Sequence, residues 1–476
     1  MIAGLTHYRA MKDSHMRLLG KVPEHWEVFR LGQFGRLSKG SGGNREDDVE
    51  SGIPCIRYGD LYTTHTYHIL KSRSFVSVDK AGTYTPIRFG DILFAASGET
   101  IQDIGKSAAN LVDSRACCGG DVIVFRPGRP VNARYMGYAT DCRPAAVQKA
   151  RMGRGITVKH IYSDQLKHLA IALPPVPEQA AIVRFLDHAD RQIRRYIRAR
   201  QKLIKLLEEQ KQAIIHDAVT RGLHPNVRLK PSGMEWLGNV PEHWEVRRNG
   251  RLFSQRNETG CAGLPILEVS LRTGVRVRDF ANSDRKQVMT DREKYKRAAV
   301  GDIAYNMMRM WQGAVGIAPA DGLISPAYVV ARPLPVTESR YFVRLFKTAT
   351  YMAEVDKFSR GIVKDRNRLY WEDFKRMLSC YPPPREQVEI ADALDERCGQ
   401  IDASTQRIRQ EIDLLREYRI RLIADVVTGK LDVREAAARL PDEPGEVDPI
   451  DEGDALAETQ DAPADDLDAV PEEAEA

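Results

Sequence analysis

The heptapeptide Val-Pro-Glu-His-Trp-Glu-Val occurs twice in this chain, at Val22–Val28 and again at Val240–Val246. A match of seven residues is too long to arise by chance, so the sequence contains a tandem duplication. The flanking residues extend the match at the same spacing, because Leu19-Gly20 aligns with Leu237-Gly238. Internal repeats constrain the fold before any local propensity does. We therefore predict two related structural units.

Each copy begins with a mixed region, residues 11–173 and 229–381, in which glycine and proline separate short runs of β-forming residues. One anchor is common to both regions: Phe89-Gly-Asp-Ile-Leu-Phe94 in the first and Val300-Gly-Asp-Ile-Ala-Tyr305 in the second. Each anchor predicts a turn that leads into a buried strand. The sequences around the two anchors otherwise differ strongly, so we expect related folds with different surfaces.

A proline-rich segment and a long helix follow each mixed region. The segments Leu173-Pro-Pro-Val-Pro-Glu-Gln179 and Tyr381-Pro-Pro-Pro-Arg-Glu-Gln387 align, and proline shortly before Glu-Gln suits the first turn of a helix. The helices are predicted at about residues 178–221 and 386–429. About forty residues at a rise of 1.5 Å per residue give each helix a length of roughly 60 Å.

Both helices carry apolar residues in alternating steps of four and three, which is the period of a coiled-coil seam. Helices of this length exceed what their own globular domains could cover, so we favour the two helices packing on each other. The alternative is that each packs on its own domain. The residues assigned to the seam are Leu186, Ile193, Leu203, Leu207, Leu394, Ile401, Leu415 and Leu422. Polar residues at predicted seam positions, which would fix the register, are Arg200, Gln210, Arg397, Ser404 and Glu411.

These elements predict an α+β protein with two homologous mixed α/β domains, separated by two long antiparallel coiled-coil helices and related by a pseudo-twofold axis. The expected boundaries are residues 1–173 for the first domain, 174–223 for the central helix, 224–381 for the second domain, 382–431 for the C-terminal helix and 432–476 for a tail. The aromatic anchors Trp26 and Trp244 recur with the leader. We expect them to pack against their own domains or against a helix end.

Charge is distributed unevenly along the chain. The formal net charge is +5, but residues 432–476 contain 17 acidic residues and two arginines, which leaves +20 on residues 1–431. A strongly basic body indicates a polyanionic partner such as nucleic acid; the alternative is that the charge only maintains solubility. The acidic tail is poor in apolar residues and repels itself, so we expect it to be disordered.

No catalytic signature is found in the sequence. Gly105-Lys106-Ser107 resembles the end of a phosphate-binding loop, but Thr100 stands where that motif requires glycine. The chain lacks the Asn/Asp-Pro-Pro-Tyr motif of base methyltransferases, and Pro441-Asp442 is not followed by the Glu-x-Lys of a nuclease centre. We therefore predict a non-catalytic reader or scaffold.

Cysteine and histidine usage gives no indication of a metal site. The seven cysteines include no Cys-x-x-Cys pair and no zinc-type spacing, so we predict neither a disulfide framework nor a bound metal. His65 and His68 have no third ligand nearby in sequence, so a structural role is expected for them. Because no run of 18 apolar residues and no signal-peptide pattern is present, we expect a cytoplasmic protein that does not enter a membrane.

Taken in order, four features resemble those of type I restriction-modification specificity subunits over about residues 11–431. They are the leaders that end at Trp26 and Trp244, the Gly-Asp-Ile turns, the Pro-Pro…Glu-Gln helix starts and the two long helices. The resemblance implies that each mixed domain is a target recognition domain, which reads one half of a split, asymmetric site on double-stranded DNA. It also implies that the paired helices separate these domains and dock two methyltransferase subunits. The tail after Leu431 lies outside the resemblance.

The same resemblance implies the remaining partners and cofactors. Translocase and nuclease subunits would join the complex for cleavage. This chain would bind no cofactor itself; S-adenosylmethionine would belong to the methyltransferase partner, and ATP and Mg²⁺ to the nuclease partner. Independently, two diverged readers on a stiff spacer would recognise half-sites at a fixed separation, because helical phase on DNA repeats every 10–10.5 base pairs.

Candidate DNA contacts are basic and amide side chains in loops, because Lys and Arg neutralise phosphates while Arg, Asn and Gln read base edges. In the first domain they are Lys39, Arg57, Gln102, Lys106, Arg151, Arg154 and Lys159. In the second domain they are Arg272, Asn306, Arg309, Gln312, Arg360, Lys364, Arg366 and Arg368. The clusters around Arg154-Gly-Ile and Arg360-Gly-Ile correspond between the copies, which favours phosphate clamps over sequence discrimination. For each residue the alternative is an ordinary solvated surface charge.

Two other functions remain open from the sequence. One is a complete enzyme with unrecognised motifs, which transfer of a methyl group by the purified chain alone would reveal. The other is a coiled-coil scaffold that does not bind DNA. The basic residues Arg194, Arg195, Arg198, Arg200 and Lys202 on the outer face of the first helix are candidates for partner docking or for contact with the DNA backbone.

Overall fold

The computed structural model describes residues 5–43, 45–98, 100–101, 103–155, 158–278, 292–361 and 367–441. The described residues form two compact units. Unit 1 consists of residues 5–200 and 410–441, and unit 2 consists of residues 201–409. Each unit therefore contains one mixed domain, the beginning of one long helix and the end of the other.

The helices range from single turns to two very long elements. In chain order they are α1 (Leu31–Phe34), α2 (Tyr58–Thr63), α3 (Ala133–Asp141), α4 (Arg143–Met152), α5 (Ser163–Leu166), α6 (Val176–Arg221), α7 (Ser339–Phe346), α8 (Ala349–Phe358), α9 (Trp371–Phe374), α10 (Pro384–Val427) and α11 (Arg434–Ala438). The long helices α6 and α10 contain 46 and 44 residues. Both predicted long helices are confirmed, and each begins two residues earlier than expected.

Unit 1 is built on two five-stranded sheets. Its strands are β1 (Met11–Asp13), β2 (Lys21–Pro23), β3 (Glu27–Arg30), β4 (Gly35–Lys39), β5 (Asp48–Val49), β6 (Ile53–Ile56), β7 (Tyr67–Ile69), β8 (Ser74–Val76), β9 (Thr85–Ile87), β10 (Ile92–Ala95), β11 (Ser97–Gly98), β12 (Ser107–Asn110), β13 (Ala116–Cys118), β14 (Val122–Pro127), β15 (Lys159–His160) and β16 (Ala170–Leu173). The central sheet has the order β4-β14-β10-β12-β7, and the second sheet has the order β5-β8-β6-β13-β9. Every residue of β10 and β12 is buried, so the central sheet lies within the core.

Unit 2 repeats this plan with fewer strands in its central sheet. Its strands are β17 (Leu229–Pro231), β18 (Asn239–Pro241), β19 (Glu245–Arg248), β20 (Phe253–Gln255), β21 (Leu267–Ser270), β22 (Gly274–Val277), β23 (Lys296–Ala298), β24 (Ile303–Asn306), β25 (Val315–Ile317), β26 (Gly322–Ile324), β27 (Tyr328–Pro333) and β28 (Leu378–Tyr381). The central sheet has the order β20-β27-β24-β25, and all its strand pairs are antiparallel. The predicted fold class, two mixed α/β domains with two long helices, is confirmed.

The Gly-Asp-Ile anchors open the buried central strands β10 and β24, as predicted. Gly90 and Gly301 have φ angles of +86° and +87°, a left-handed conformation that favours glycine. The buried Asp91 and Asp302 each accept a backbone N–H from three residues earlier in the chain, at 2.8 and 2.9 Å. Each aspartate also pairs with an arginine of a neighbouring segment. The isoleucine that follows is fully buried and begins the strand.

The Glu-Gln pair at each helix start fixes the helix to its own domain. Gln179 is 1% exposed; its side-chain oxygen accepts the N–H of Asn132 at 2.8 Å, and its amide donates to the carbonyl of Pro174. Gln387 does the same in unit 2, accepting from the N–H of Glu338 at 3.0 Å and donating to a proline carbonyl. The motif is therefore retained because it satisfies buried backbone groups in both units.

The leader packs against the same helix start, which confirms the structural interpretation of its tryptophans. Trp26 is fully buried and donates its indole N–H to Glu178 at 3.2 Å, and Tyr8 donates to the same carboxylate at 2.7 Å. In unit 2 Trp244 is also fully buried, but its indole N–H has no acceptor among the described residues. The two copies therefore share the packing but not the hydrogen bonding.

Within each unit the two long helices pair in an antiparallel manner, as predicted. In unit 1, Asp190 of α6 pairs with Arg419 of α10, and Arg200 pairs with Glu411 at 3.0 Å. In unit 2, Lys211 pairs with Asp402 at 2.6 Å, and Glu208 with Arg409 at 3.4 Å. In both units the partner number on α10 falls as the number on α6 rises. Arg200 and Glu411 were assigned to the seam, but their side chains are about half exposed and pair at its margin.

The predicted seam is correct at one set of positions in α10 and wrong at the other. Leu394 and Leu422 are buried, and Ile401 and Leu415 are half-buried. The remaining seam positions lie one residue later than predicted. The next buried residue after Leu394 follows four residues later, not three. Arg397, Ser404 and Glu411 are therefore exposed, whereas their neighbours Cys398, Thr405 and Ile412 are buried.

The first long helix shows the same displacement. Leu186 and Ile193 are buried, and Leu203 and Leu207 are half-buried, in agreement with the prediction. Tyr196, however, is 62% exposed, and the next residue, Ile197, packs against the core instead. Gln210 is likewise exposed, while Lys211 turns inward to its ion pair.

The acidic tail begins later than predicted. Residues 432–441 are folded on unit 1: Asp432 donates its N–H to the carbonyl of Thr6 at 2.7 Å, and α11 follows. Val433 and Ala437 are buried in the core of unit 1. Their spacing of four residues gives this short helix an apolar side, which the acidic composition of the segment as a whole concealed. Residues 442–476 lie outside the described residues.

Candidate nucleic-acid interface

Several candidate residues of unit 1 lie at one end of its central sheet, which we call the loop end. Ala95, the last residue of β10, pairs with Val122, the first residue of β14. Lys39, the last residue of β4, pairs with the next residue of β14, Ile123. Lys106 directly precedes β12, which begins beside the end of β10. The strand register therefore places Lys39 and Lys106 at the same edge.

The Arg-Gly-Ile loop of unit 1 joins this edge. The backbones of Arg154 and His160 exchange two hydrogen bonds, of 2.9 and 2.7 Å, that close the loop. The N–H of Ile161 then donates to the carbonyl of Ala96, directly after β10. Gly155 has a φ of +119°, and a Cβ there would lie 2.1 Å from the carbonyl oxygen of Val158. This position consequently requires glycine.

A buried lysine stabilises the loop end through hydrogen bonds from the interior of the unit. Lys149, in the last turn of α4, is 1% exposed and donates to the carbonyl of Gly105 at 2.7 Å and to Asp141 at 2.9 Å. Burial lowers the pKa of Lys149, and the Asp141 carboxylate opposes that effect. Lys106 lies 3.7 Å from the same carboxylate, so its charge is partly compensated within the unit.

Unit 2 repeats this construction with different side chains. Asn306 ends β24 and pairs with Tyr328, the first residue of β27, so the segment after β24 emerges at the corresponding edge, which is the loop end of unit 2. The backbones of Arg360 and Arg368 exchange hydrogen bonds of 3.0 and 2.9 Å and close the second Arg-Gly-Ile loop. The N–H of Leu369 then donates to the carbonyl of Met307 at 2.8 Å. In both units the loop after the Gly-Asp-Ile strand is thus joined to the Arg-Gly-Ile loop.

The predicted contact residues differ in exposure. The exposed ones are Lys39, Arg151, Arg154, Arg272, Gln312 and Arg360; the half-buried ones are Arg57, Lys106, Lys159, Arg309 and Arg368. Gln102, Lys364 and Arg366 lie outside the described residues. Arg272 occupies the turn between β21 and β22, and the following Gly274 approaches Gly316 of β25. Several of the described candidates therefore lie near the loop ends, and their contact with DNA stays a prediction.

Other candidates besides Lys106 take part in intramolecular contacts; the Lys159 ammonium, for example, donates to the carbonyl of Gly155 at 2.7 Å. Asn306 is 6% exposed, and its side-chain oxygen accepts the N–H of Met308 at 2.9 Å, so it shapes the loop and is removed from the candidate contacts. Arg57 donates to Asp48 at 3.0 Å and stacks over Tyr84, and only 14% of its side chain is exposed. Arg360 pairs with Asp373 but remains 65% exposed, so its guanidinium is still accessible.

Sequence reasoning missed two exposed residues at these loops. Tyr162 and Tyr370 directly follow the buried Ile161 and Leu369, and they are 57% and 42% exposed. The two tyrosines are separated by the same interval as the aligned helix starts. That interval, applied to the residues before each helix start, would have identified them.

The described residues contain no group of three or more His, Cys, Asp or Glu side chains that is placed to hold a metal ion. His65 and His68 are neutralised by their surroundings, because burial lowers the pKa of His65 to about 4 and also lowers that of His68. Within the part of the chain that the structure describes, no helix is both long and apolar enough to cross a membrane.

Two related mixed α/β units, each with basic loops at one sheet end and antiparallel segments of two long helices, make this a duplicated α/β protein. The family model described as Type I restriction modification DNA specificity domain matches residues 23–205. A protein of Methanocaldococcus jannaschii that bears the name of a type I restriction enzyme MjaX specificity subunit is 24% identical over 443 residues, covering 87% of this chain and 96% of its own. The EcoKI specificity subunit of Escherichia coli strain K12 is 20% identical, covering 87% of this chain and 90% of its own.

The fold is shared with a solved structure as well. A chain from a study of complex assembly in the type I R-M system matches with a TM-score of 0.61 at 16% identity, covering 85% of this chain and 98% of its own. Over most of its length the chain is therefore similar to specificity subunits of type I restriction-modification systems.

Proposed function

We propose that this chain reads a bipartite, asymmetric site on double-stranded DNA, with one half-site at the loop end of each unit. One observation carries this proposal. In both units a backbone hydrogen bond joins the loop after the Gly-Asp-Ile strand to the Arg-Gly-Ile loop, at Ile161 and at Leu369. The scaffold is therefore the same, while the side chains presented on it differ. Such an arrangement suits two readers of unlike sequence.

The charges support a DNA backbone as the partner of these loops. Arg151 and Arg154 in unit 1 and Arg360 in unit 2 are exposed beside the loop ends. Arginine and lysine bind phosphate oxygens and release counterions, so affinity should fall steeply as salt concentration rises. Side chains that differ between the units, such as Gln312 and Arg309, are better candidates for reading bases, because shared features cannot distinguish two sequences.

We also propose that α6 and α10 dock two methyltransferase subunits, which bind S-adenosylmethionine, and that nuclease subunits requiring ATP and Mg²⁺ join them. Leu206 of α6 and Leu414 of α10 occupy equivalent positions in the two aligned helices and are 51% and 65% exposed. Isolated exposed leucines are common. Two at equivalent positions, however, suit one partner copy at each site.

The test is to co-express the chain with its methyltransferase partner and to map adenine methylation in the host genome. We expect one split, asymmetric motif. Exchange of residues 11–173 for the corresponding region of another family member should change one half of that motif and leave the other intact. Loss of both halves, or no change in either, would contradict separate reading by the two units.

A DNA-independent scaffold is tested with the same purified complex. The proposed function requires preferential binding to duplex DNA that weakens with salt. Binding that is absent, or that is insensitive to both salt and duplex sequence while the methyltransferase remains bound, would instead favour the scaffold.

A further inference from the structure

We propose that Tyr162 in unit 1 and Tyr370 in unit 2 are equivalent contacts to the DNA backbone. This inference rests on the proposed function and adds one residue to each recognition surface. Both residues stand directly after the Arg-Gly-Ile loop, two residues beyond His160 and Arg368, which end the loop closure.

The orientation of each tyrosine follows from the residue before it. Ile161 is 1% exposed and Leu369 is fully buried, and the N–H of each is bonded to the segment after the central strand. Tyr162 and Tyr370 have extended backbones, with ψ angles of 161° and 159°. Successive side chains in an extended segment point to opposite sides, so anchoring the first residue inward turns the tyrosine outward.

Packing leaves much of both side chains exposed, although the Tyr162 ring stacks on the His160 ring with 6.3 Å between centroids. Tyr162 is 57% exposed and Tyr370 is 42% exposed. The neighbouring positions have diverged, since Ser163 corresponds to Trp371 and His160 to Arg368. A large exposed side chain that persists among diverged neighbours points to a task that both units perform.

The sugar–phosphate backbone is the part of DNA that is the same at both half-sites. A phenol hydroxyl can donate to a phosphate oxygen, and tyrosine is among the residues that make such positioning contacts. Its ring can at the same time cover the apolar face of a deoxyribose. Arg154 and Arg360 begin the adjoining loops and are exposed, so each loop carries positive charge. Base reading is disfavoured because one residue type would serve two unlike sequences.

The test uses the full chain in complex with its methyltransferase and a duplex that carries the mapped motif. We expect Tyr162→Phe and Tyr370→Phe each to weaken binding about threefold to tenfold, the range for one hydrogen bond. Tyr162→Ala and Tyr370→Ala should weaken it further, and the double alanine variant should multiply the two effects. The methylated motif and the thermal denaturation midpoint should stay unchanged.

Matched controls come from the opposite ends of the same sheets. Phe89 and Val300 are 61% and 66% exposed and precede the Gly-Asp turns at equivalent positions. Phe89→Ala and Val300→Ala should leave affinity intact. Unaltered binding in the tyrosine variants, an equal loss in the controls, or a relaxed motif at one half-site would each overturn the inference. Failure of the parent complex to bind duplex DNA would instead overturn the proposed function itself.

Discussion

Glu178 is the point at which the leader, the first domain and α6 meet in unit 1. It is 7% exposed and accepts hydrogen bonds from Tyr8 and Trp26, and the His25 ring lies 2.8 Å away. Its counterpart Glu386 contacts the ring of His243 at 2.7 Å, and this histidine is half exposed. The glutamate of the shared motif therefore joins a buried hydrogen-bond network in unit 1, whereas in unit 2 it contacts a half-exposed histidine.

We predict that Glu178→Ala destabilises the protein by about 2–5 kcal/mol, because two buried donors lose their acceptor. Glu386→Ala should cost less, about 1 kcal/mol, since the carboxylate loses a contact with a half-exposed histidine rather than two buried donors. Urea denaturation of both variants measures the difference. Equal losses would show that the carboxylate at Glu178 has no special role in the network.

The buried His65 predicts a dependence of stability on pH. Burial lowers its pKa from 6.5 to about 4. The folded state then binds fewer protons than the unfolded state between these values, so stability is present above pH 6.5 and is lost as pH falls towards 4. The loss should be about 3 kcal/mol. His65→Asn should reduce the difference in unfolding free energy between pH 7 and pH 4.5, and an unchanged difference would contradict the assignment.

Residue types predicted the candidate interface only in part. Arg154 and Arg360 are exposed in loops, as charge and glycine together indicate, and their contact with DNA stays a prediction. The assignment of Asn306 as a DNA contact was wrong. An asparagine in the sequence gives no sign of whether its amide binds a base or a backbone N–H, as it does here. Tyr162 and Tyr370 were missed because tyrosine is as common in cores as on surfaces, and exposure is a property of the folded chain.

At the scale of the element, the seam of α10 gives a direct comparison between neighbouring residues. Ile412 is 4% exposed, whereas the side chain of Glu411 is 52% exposed and pairs with Arg200. Ile412→Ala should destabilise by about 2–4 kcal/mol through lost burial and a cavity. Glu411→Ala should cost less than about 1 kcal/mol. Thermal denaturation of the two variants distinguishes these outcomes, and the reverse order would restore the seam first predicted.

The elements themselves were predictable because each has a local cause. Proline and a capping Glu-Gln pair start the helices, and Gly-Asp-Ile requires a left-handed glycine before a buried strand. The seam register was only half predictable. In a helix with 3.6 residues per turn, successive buried residues can be three or four positions apart. The packing of the facing helix determines which spacing is used. The buried Thr405 beside the exposed Ser404 shows this, since either residue suits both positions.

At the scale of the whole molecule, duplication makes each feature testable against its own copy. The repeat was evident in the sequence because identical motifs recur in the same order. The folding of residues 432–441 was not, because it depends on contact with the N-terminal segment, where Arg434 stacks over Tyr8 at 5.2 Å. Contacts between positions so distant in sequence leave no local signal.

The duplication also predicts the composition of the assembled complex. If Leu206 and Leu414 each dock one methyltransferase copy, Leu206→Arg and Leu414→Arg should each leave one partner bound rather than two, and the double variant none. A buried arginine without a counter-charge at such an interface is strongly unfavourable, whereas both side chains are exposed in the free chain. Native mass spectrometry counts the bound copies, and Leu229→Arg, at an exposed position outside the helices, is the control. If every variant still bound two methyltransferase copies, neither leucine would contact a partner and the docking surface would lie elsewhere on the chain.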